Sequence, residues 1–191
     1  MFRSILHNGL ALLLMCLLGL VFTLPALSQD EIRFTKYNIH TQSKNGVKAK
    51  ASYANYTDPG VGHVVVPAGT EIDITKQSRK GFVFTYDNGS KKVTFEYHDK
   101  RMGMSIDEYI EKITSSQPVS YNKFSKKDKK GLADGKAYAG MTRKGVLAAL
   151  GYPATHRTPS LDEKTWVYWT NRFKTIAVEF DGHGKVLQVR R

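Results

Sequence analysis

The stretch GMTRKGVLAALGYP, Gly140 to Pro153, carries a complete set of helix punctuation. Thr142 is placed to act as N-cap, its hydroxyl accepting from a free backbone N–H of the first turn. Val146, Ala149 and Leu150 recur at helical spacing, and Leu147 widens the stripe. Gly151 stands where a chain leaving a helix adopts positive φ, and Pro153 blocks continuation. The pattern predicts a short amphipathic helix with one buried face. Its expected task is to cover a sheet, without touching a ligand.

Outward from that helix, Trp166-Val167-Tyr168-Trp169 reads as an aromatic strand. Thr170-Asn171-Arg172 can turn it, and Ile176, Val178 and Phe180 alternate along a second strand. Asp181-Gly182-His183-Gly184 reads as a hairpin loop, and Val186-Leu187-Gln188-Val189 as a third strand. The C-terminal segment therefore reads as a helix on a three-stranded antiparallel meander.

On the other side, residues 31–97 carry mostly strand signals. Val64-Val65-Val66 is a short run of buried type, and Pro67-Ala68-Gly69 a turn. Ile72 and Ile74 share a face. Phe82, Phe84 and Tyr86 share another and return as Val93, Phe95 and Tyr97 after Asp87-Asn88-Gly89-Ser90, a hairpin with aromatic cross-strand pairs. Further strands are expected over 32–39 and 47–53. Five or six short strands with tight turns point to a small barrel or rolled sheet, similar in strand rhythm to bacterial SH3-like modules.

Between the two β regions, Ser105 and Glu108 form a capping box, and Ile106, Tyr109, Ile110 and Ile113 make a buried helical stripe. Asp107, Glu108 and Glu111 suit the positive end of that helix, so capping explains them without catalysis. Residues 120–136 are polar and basic, with Lys126, Lys127, Lys129 and Lys130 around Asp128, and read as an exposed linker. The division is thus a signal segment at 1–28, a β-rich domain at 29–98, a helix and basic linker at 99–132, and an α+β domain at 133–191.

The N-terminus has Arg3, an apolar run from Gly9 to Leu24, and small residues at Ala26 and Ser28. It reads as a secretory signal peptide cleaved after Ser28, with an uncleaved membrane anchor as the alternative. Cys16 is the single cysteine. Bulky Met15 before it argues against lipidation, and cleavage after Ser28 leaves a chain without thiols. The expected location is periplasmic or outer-membrane associated. The formal charge of +12 draws an exported chain toward anionic lipid, lipopolysaccharide, teichoic acid or glycan. Nucleic acid is a less expected partner in that compartment, and none is expected here. Lys91, Lys92, Lys100 and Arg101, together with Lys126, Lys127, Lys129 and Lys130, are the candidate contacts. Solubility charge on a solvated surface is the plainer alternative.

Enzyme signals are weak. His40, His63, His98, His156 and His183 show no pair at spacing suited to a metal, so no metal and no cofactor is expected. Gly60-Val61-Gly62-His63 is explained by turn chemistry. Asp58, Asp73 and Asp87 could meet in space, which keeps a hydrolase as a third class.

The C-terminal residues Gly140-Met141-Thr142, Val146, Leu150-Gly151-Tyr152-Pro153, Trp166-Val167-Tyr168, Phe180-Asp181 and Gly184-Lys185-Val186 resemble the SmpA/OmlA family, small outer-membrane lipoproteins also called BamE. The resemblance covers about the last third of the chain. It implies an α+β domain and a non-enzymatic envelope role in assembling outer-membrane β-barrel proteins, with contacts to assembly subunits and anionic phospholipid. Two features depart from it: the mature chain lacks a lipidated cysteine, and a large β region precedes the domain. The same unit also resembles the repeats of secreted β-lactamase inhibitor proteins, so an inhibitor or partner-binding role stands beside it.

Three functions can be told apart by surface. An assembly scaffold predicts exposed aromatic or basic patches on the C-terminal sheet. A module for anionic glycan or lipid predicts one face gathering Lys and Arg beside Tyr or Phe. An enzyme predicts His and Asp converging in a cleft.

Overall fold

A computed structural model describes residues 31–45 and 48–191, and the signal-peptide reading lies outside them. The chain is mixed α+β, with a curled eight-stranded sheet, a three-stranded antiparallel sheet and four helices among the described residues. The strands of the large sheet are β1 (Glu31–Thr35), β2 (Ile39–Ser43), β3 (Lys48–Ser52), β4 (His63–Val66), β5 (Glu71–Ser78), β6 (Gly81–Tyr86), β7 (Lys91–Glu96) and β8 (Thr114–Ser115). Their order is β4-β2-β3-β7-β6-β5-β1-β8. All neighbours are antiparallel except β3 and β7, which run parallel with Lys48 opposite Lys92 and Ser52 opposite Glu96.

The β6–β7 hairpin forms as its sequence dictates. Asp87 and Asn88 have φ of 56° and 52°, the conformation a twisted two-strand turn requires. Phe82 and Phe95 face each other across the pair and stack at 4.7 Å. The helix α2 (Ile106–Ile113) carries the expected reciprocal capping box and buries Ile106, Tyr109, Ile110 and Ile113. Those four side chains share a core with Phe82, Phe84, Val93, Phe95 and Tyr97 of the sheet.

Several expectations for this half are corrected. The sheet is curled, as a rolled sheet was expected to be, but among the described residues it has eight strands where five or six were expected, with β4 and β8 at its edges, and forms a half-barrel. Only Val66 of the Val64–Val66 run is buried; β4 is an edge strand, and Val64, on the same face as Val66 but nearer the strand's start, is 40% exposed. The strand expected over 32–39 is two strands, broken at Lys36–Asn38. The segment 99–132 holds the expected helix α2, preceded by α1 (Asp99–Met102) and followed by β8, and the basic stretch read as an exposed linker contains a further helix, α3 (Lys126–Asp134).

That last helix was hidden by its lysines. Ser125 caps it by accepting from Asp128 N, and Gly135 ends it at φ 61°. Asp128, alone among the surrounding cations, is 2% exposed. Its carboxylate accepts from Ser125 Oγ at 2.8 Å, Thr142 N at 2.8 Å and Thr142 Oγ1 at 3.2 Å. One buried anion thus serves the N-termini of two helices, each with free N–H groups and a positive dipole end.

The second of those helices is α4 (Arg143–Leu150), the helix foreseen from residues 140–153. Thr142 caps it by accepting from Gly145 N, and Val146, Ala149 and Leu150 are buried. It covers the meander β9 (Thr165–Trp169), β10 (Thr175–Phe180) and β11 (Val186–Arg190). Met141, Val146, Leu150, Trp166, Tyr168 and Phe180 make one core, with Trp166 and Phe180 edge to face at 4.7 Å. Gly140 and Gly184, at φ 83° and 72°, let the chain turn into the helix and between β10 and β11. Pro153 is buried just after the helix.

The C-terminus of α4 does more than end a helix. Its last carbonyls have no intrahelical donors. Asn38 N donates to Ala148 O at 2.8 Å, His40 Nε2 to Ala149 O at 2.9 Å, Asn38 Nδ2 to Ala149 O at 3.2 Å, and Asn55 Nδ2 to Leu150 O. Polar side chains of the large-sheet half therefore cap the helix of the other half. Gly151, at φ 74°, is needed twice: a side chain there would be strained and would strike Asn55.

Candidate anion-binding surface

The structure separates the eight cations singled out from sequence into three places. Lys91 and Lys92 open β7. Lys100 and Arg101 lie on α1, beyond the opposite end of that strand. Lys126, Lys127, Lys129 and Lys130 lie on α3. Some are already engaged. Lys91 pairs with Asp87 at 3.5 Å, Lys130 pairs with Asp134 at 2.6 Å, and the Lys127 side chain lies against Gly140.

Lys92 leads to cations that the sequence reading passed over. In the parallel β3–β7 pair it stands directly opposite Lys48. Like charges in that position repel. Lys48 and Lys50 are two residues apart on β3 and project from the same face, as strand alternation demands. With Lys44 they line a groove of about 840 Å³, completed by Gln42, Ser43, Asn45, Val61 and Gly62. Among the described residues no carboxylate lines it, and no ion pair to Lys44, Lys48, Lys50 or Lys92 is found. The loop bearing Val61 is held by Gln42 Nε2, which donates to Val61 O at 3.0 Å. Val61 itself is 96% exposed.

A second cationic region forms where the two halves meet. Arg101 donates to Tyr53 Oη at 2.8 Å, and its guanidinium lies over the Tyr53 ring at 6.0 Å. His98 packs edge-on against the same ring at 5.9 Å. Arg157 lies over Trp169 at 5.8 Å. Loop 154–158 is tied to α1 through His156 N, which donates to Arg101 O at 3.2 Å. Thr57 N and Asp58 N donate to Trp169 O and Thr170 O at 2.9 and 3.0 Å, joining the segment after β3 to the end of β9. Just beyond, Arg172 lies over Phe173, which is 84% exposed.

Burial dominates the titration of this seam, and its arginine charges contribute less. His156 is held below its ordinary value by burial first, then by the charges of Arg101 and Arg157. The Tyr56 phenol is raised chiefly by burial, with Arg172 and Arg101 both acting in the opposite sense. Arginines 101, 157 and 172 are far apart in sequence, so only the fold reveals them as a group. Lys48 and Lys50 were readable as a same-face pair, but their parallel partner β7 was not.

The enzyme-type groups are distributed differently from expectation. His40 and His63, unpaired in sequence, meet in space at 3.0 Å because β4 lies beside β2. His40 donates through Nε2 to a carbonyl, so in the neutral ring Nδ1 accepts from His63 Nε2. Burial pushes His40 down to about 4 and is also the largest cause lowering His63. Asp73 and Asp87 line a separate cavity of about 660 Å³ with Glu71 and Asn88, and no histidine lines it. Asp58 acts instead on His63. Among the described residues no three His, Cys, Asp or Glu side chains are grouped to hold a metal ion. No described helix is long and apolar enough to cross a membrane.

The chain was compared with known proteins. No family model, no curated protein and no solved structure matches it.

Proposed function

We propose that this is an exported, non-enzymatic envelope protein that binds an anionic partner, lipid or glycan, through the lysine groove of β2 and β3. The observation that carries the reading is the groove itself: Lys44, Lys48 and Lys50 line it with amide groups, and no acidic residue lines it among the described residues. Unneutralised like charges side by side repel in the free protein, and an anion relieves that repulsion. Titration of the protein with anionic ligands at low and high salt tests it. Lys44→Ser/Lys48→Ser/Lys50→Ser should weaken binding at least about tenfold at low salt and flatten its salt dependence, because screening acts mainly on exposed charges. Unchanged affinity in the triple variant would sink the proposal.

A second reading is an assembly or scaffold role of SmpA/OmlA type, with the β-barrel assembly machinery among its partners. What supports it is the α4 helix over the β9–β11 meander, carrying exposed Phe173 at the β9–β10 tip and exposed Leu187 on the edge strand β11. Salt-resistant recovery of envelope proteins from detergent-solubilised membranes favours this reading. Salt-sensitive recovery of lipid or glycan alone favours the first.

A further inference from the structure

We propose that the occupant of the lysine groove is the surface of an anionic lipid bilayer, with Val61 entering the headgroup layer beside Lys44, Lys48 and Lys50. The inference rests on the anion-binding reading of the groove and names its partner. Strand alternation turns Ala49 and Ala51 toward the core, opposite Val93 and Phe95 of β7, and turns Lys48 and Lys50 to solvent. Lys92, opposite Lys48, takes the same solvent face, and so does Gln42, opposite Lys50 on β2. Lys44, Lys48, Lys50 and Lys92 are all exposed. The cations therefore stand on one outward face that an extended surface can meet.

The loop that carries Val61 completes the same groove. Four hydrogen bonds pin it. Gln42 Nε2 donates to Pro59 O at 3.3 Å and to Val61 O at 3.0 Å, Ser43 N to Gly62 O at 2.7 Å, and His63 N to Gly60 O at 3.0 Å. Gly62, at φ 80°, lies so close to β2 that a side chain there would strike the Ser43 carbonyl. A loop held this closely still leaves Val61 96% exposed, so its apolar side chain is presented outward at the rim of the lysines. That pairing decides between occupants. A soluble anion, phosphate or sulfated sugar, neutralises the lysines and offers nothing to Val61. An anionic bilayer offers phosphates to the lysines and an apolar layer just beneath to the valine. Asp58, the nearest acid along the loop, is tied to the end of β9 through its N–H on Thr170 O and does not line the groove.

The test uses the mature chain, residues 29–191, so that the apolar run from Gly9 to Leu24 adds nothing to vesicle binding. It should sediment with phosphatidylglycerol vesicles and stay in solution with phosphatidylcholine vesicles. Val61→Ser should weaken binding to the anionic vesicles about tenfold, the effect of withdrawing one valine from an apolar phase. An unchanged melting temperature verifies folding. In Val61→Trp the introduced indole should be quenched by brominated phosphatidylglycerol, with the parent chain giving the background from Trp166 and Trp169. Equal vesicle affinity in Val61→Ser, or an unquenched indole in Val61→Trp, overturns the inserted tip and leaves the groove reading intact. Binding to a heparin fragment without binding to vesicles overturns the bilayer as occupant. Failure of both heparin and vesicles removes the anion-binding reading together with this one.

Discussion

His40 shows how a single residue joins two halves of a chain. It is buried, donates to the C-terminal carbonyl of Ala149, and accepts from His63. Protonation would place a charge in a desolvated position, and this holds its pKa at about 4 against an ordinary 6.5. The unfolded chain binds the proton first as pH falls. The stability that neutral His40 contributes is therefore complete above about pH 6.5 and is lost as pH drops toward about 4, by an amount on the order of 3 kcal/mol. Replacing His40 by Gln, which keeps a donor for the Ala149 carbonyl, should remove that part of the pH dependence. Urea unfolding of both proteins at neutral and acid pH measures it, and parallel acid losses in the two would refute the assignment. The residue types were visible in sequence; their meeting was not, because it depends on β4 returning past β3 to pair with β2.

At the scale of elements, local chemistry was legible wherever an element carries its own caps and stripe. The Ser105–Glu108 box, the Thr142 cap and the Asp87–Asn88 turn all form as the residues dictate. Helix α4 buries Leu150 at 1% exposure among Trp166, Tyr168 and Val178. Leu150→Ala should therefore cost about 2–5 kcal/mol, the range for a buried leucine whose cavity closes only in part. A loss below about 1 kcal/mol in denaturant unfolding would contradict its place in the core. Helix α3 shows where composition misleads. Its lysines look like a solvated linker, yet Ser125 three residues before Asp128 is a capping signal, and Gly135 supplies the stop. The apolar stripe that usually announces a helix is nearly absent there, since a buried carboxylate and Gly131 take its place.

For the whole molecule, the order of strands was the part the sequence withheld. Alternation fixes which face a residue takes, but not which strand lies beside it. The parallel β3–β7 pair, the seam arginines and the groove follow from that order. So does the joining of the two halves, through Asn38, His40 and Asn55 on one side and α4 on the other. Because buried polar groups on both sides depend on each other, the halves should not melt separately. Calorimetry should give a single transition whose van't Hoff and calorimetric enthalpies agree. Two resolved transitions would show that the contacts across the seam contribute little.

The capping of α4 from so far away has a consequence in time. A polypeptide is delivered N-terminus first, and Asn38 and His40 reach their carbonyl partner at Ala149 across 111 and 109 positions of chain. Until the last third arrives, the early strands can collapse around their aromatic rings, and His40 Nδ1 and Asn38 Oδ1 can already meet His63 and Ala68 N, but the Asn38 N–H groups and His40 Nε2–H lack their carbonyl partners on α4. Long-range closure of this kind is slow to nucleate. The arrangement predicts that the first half gains full protection of those groups only once α4 is present, which hydrogen exchange on chains cut before and after Leu150 would measure.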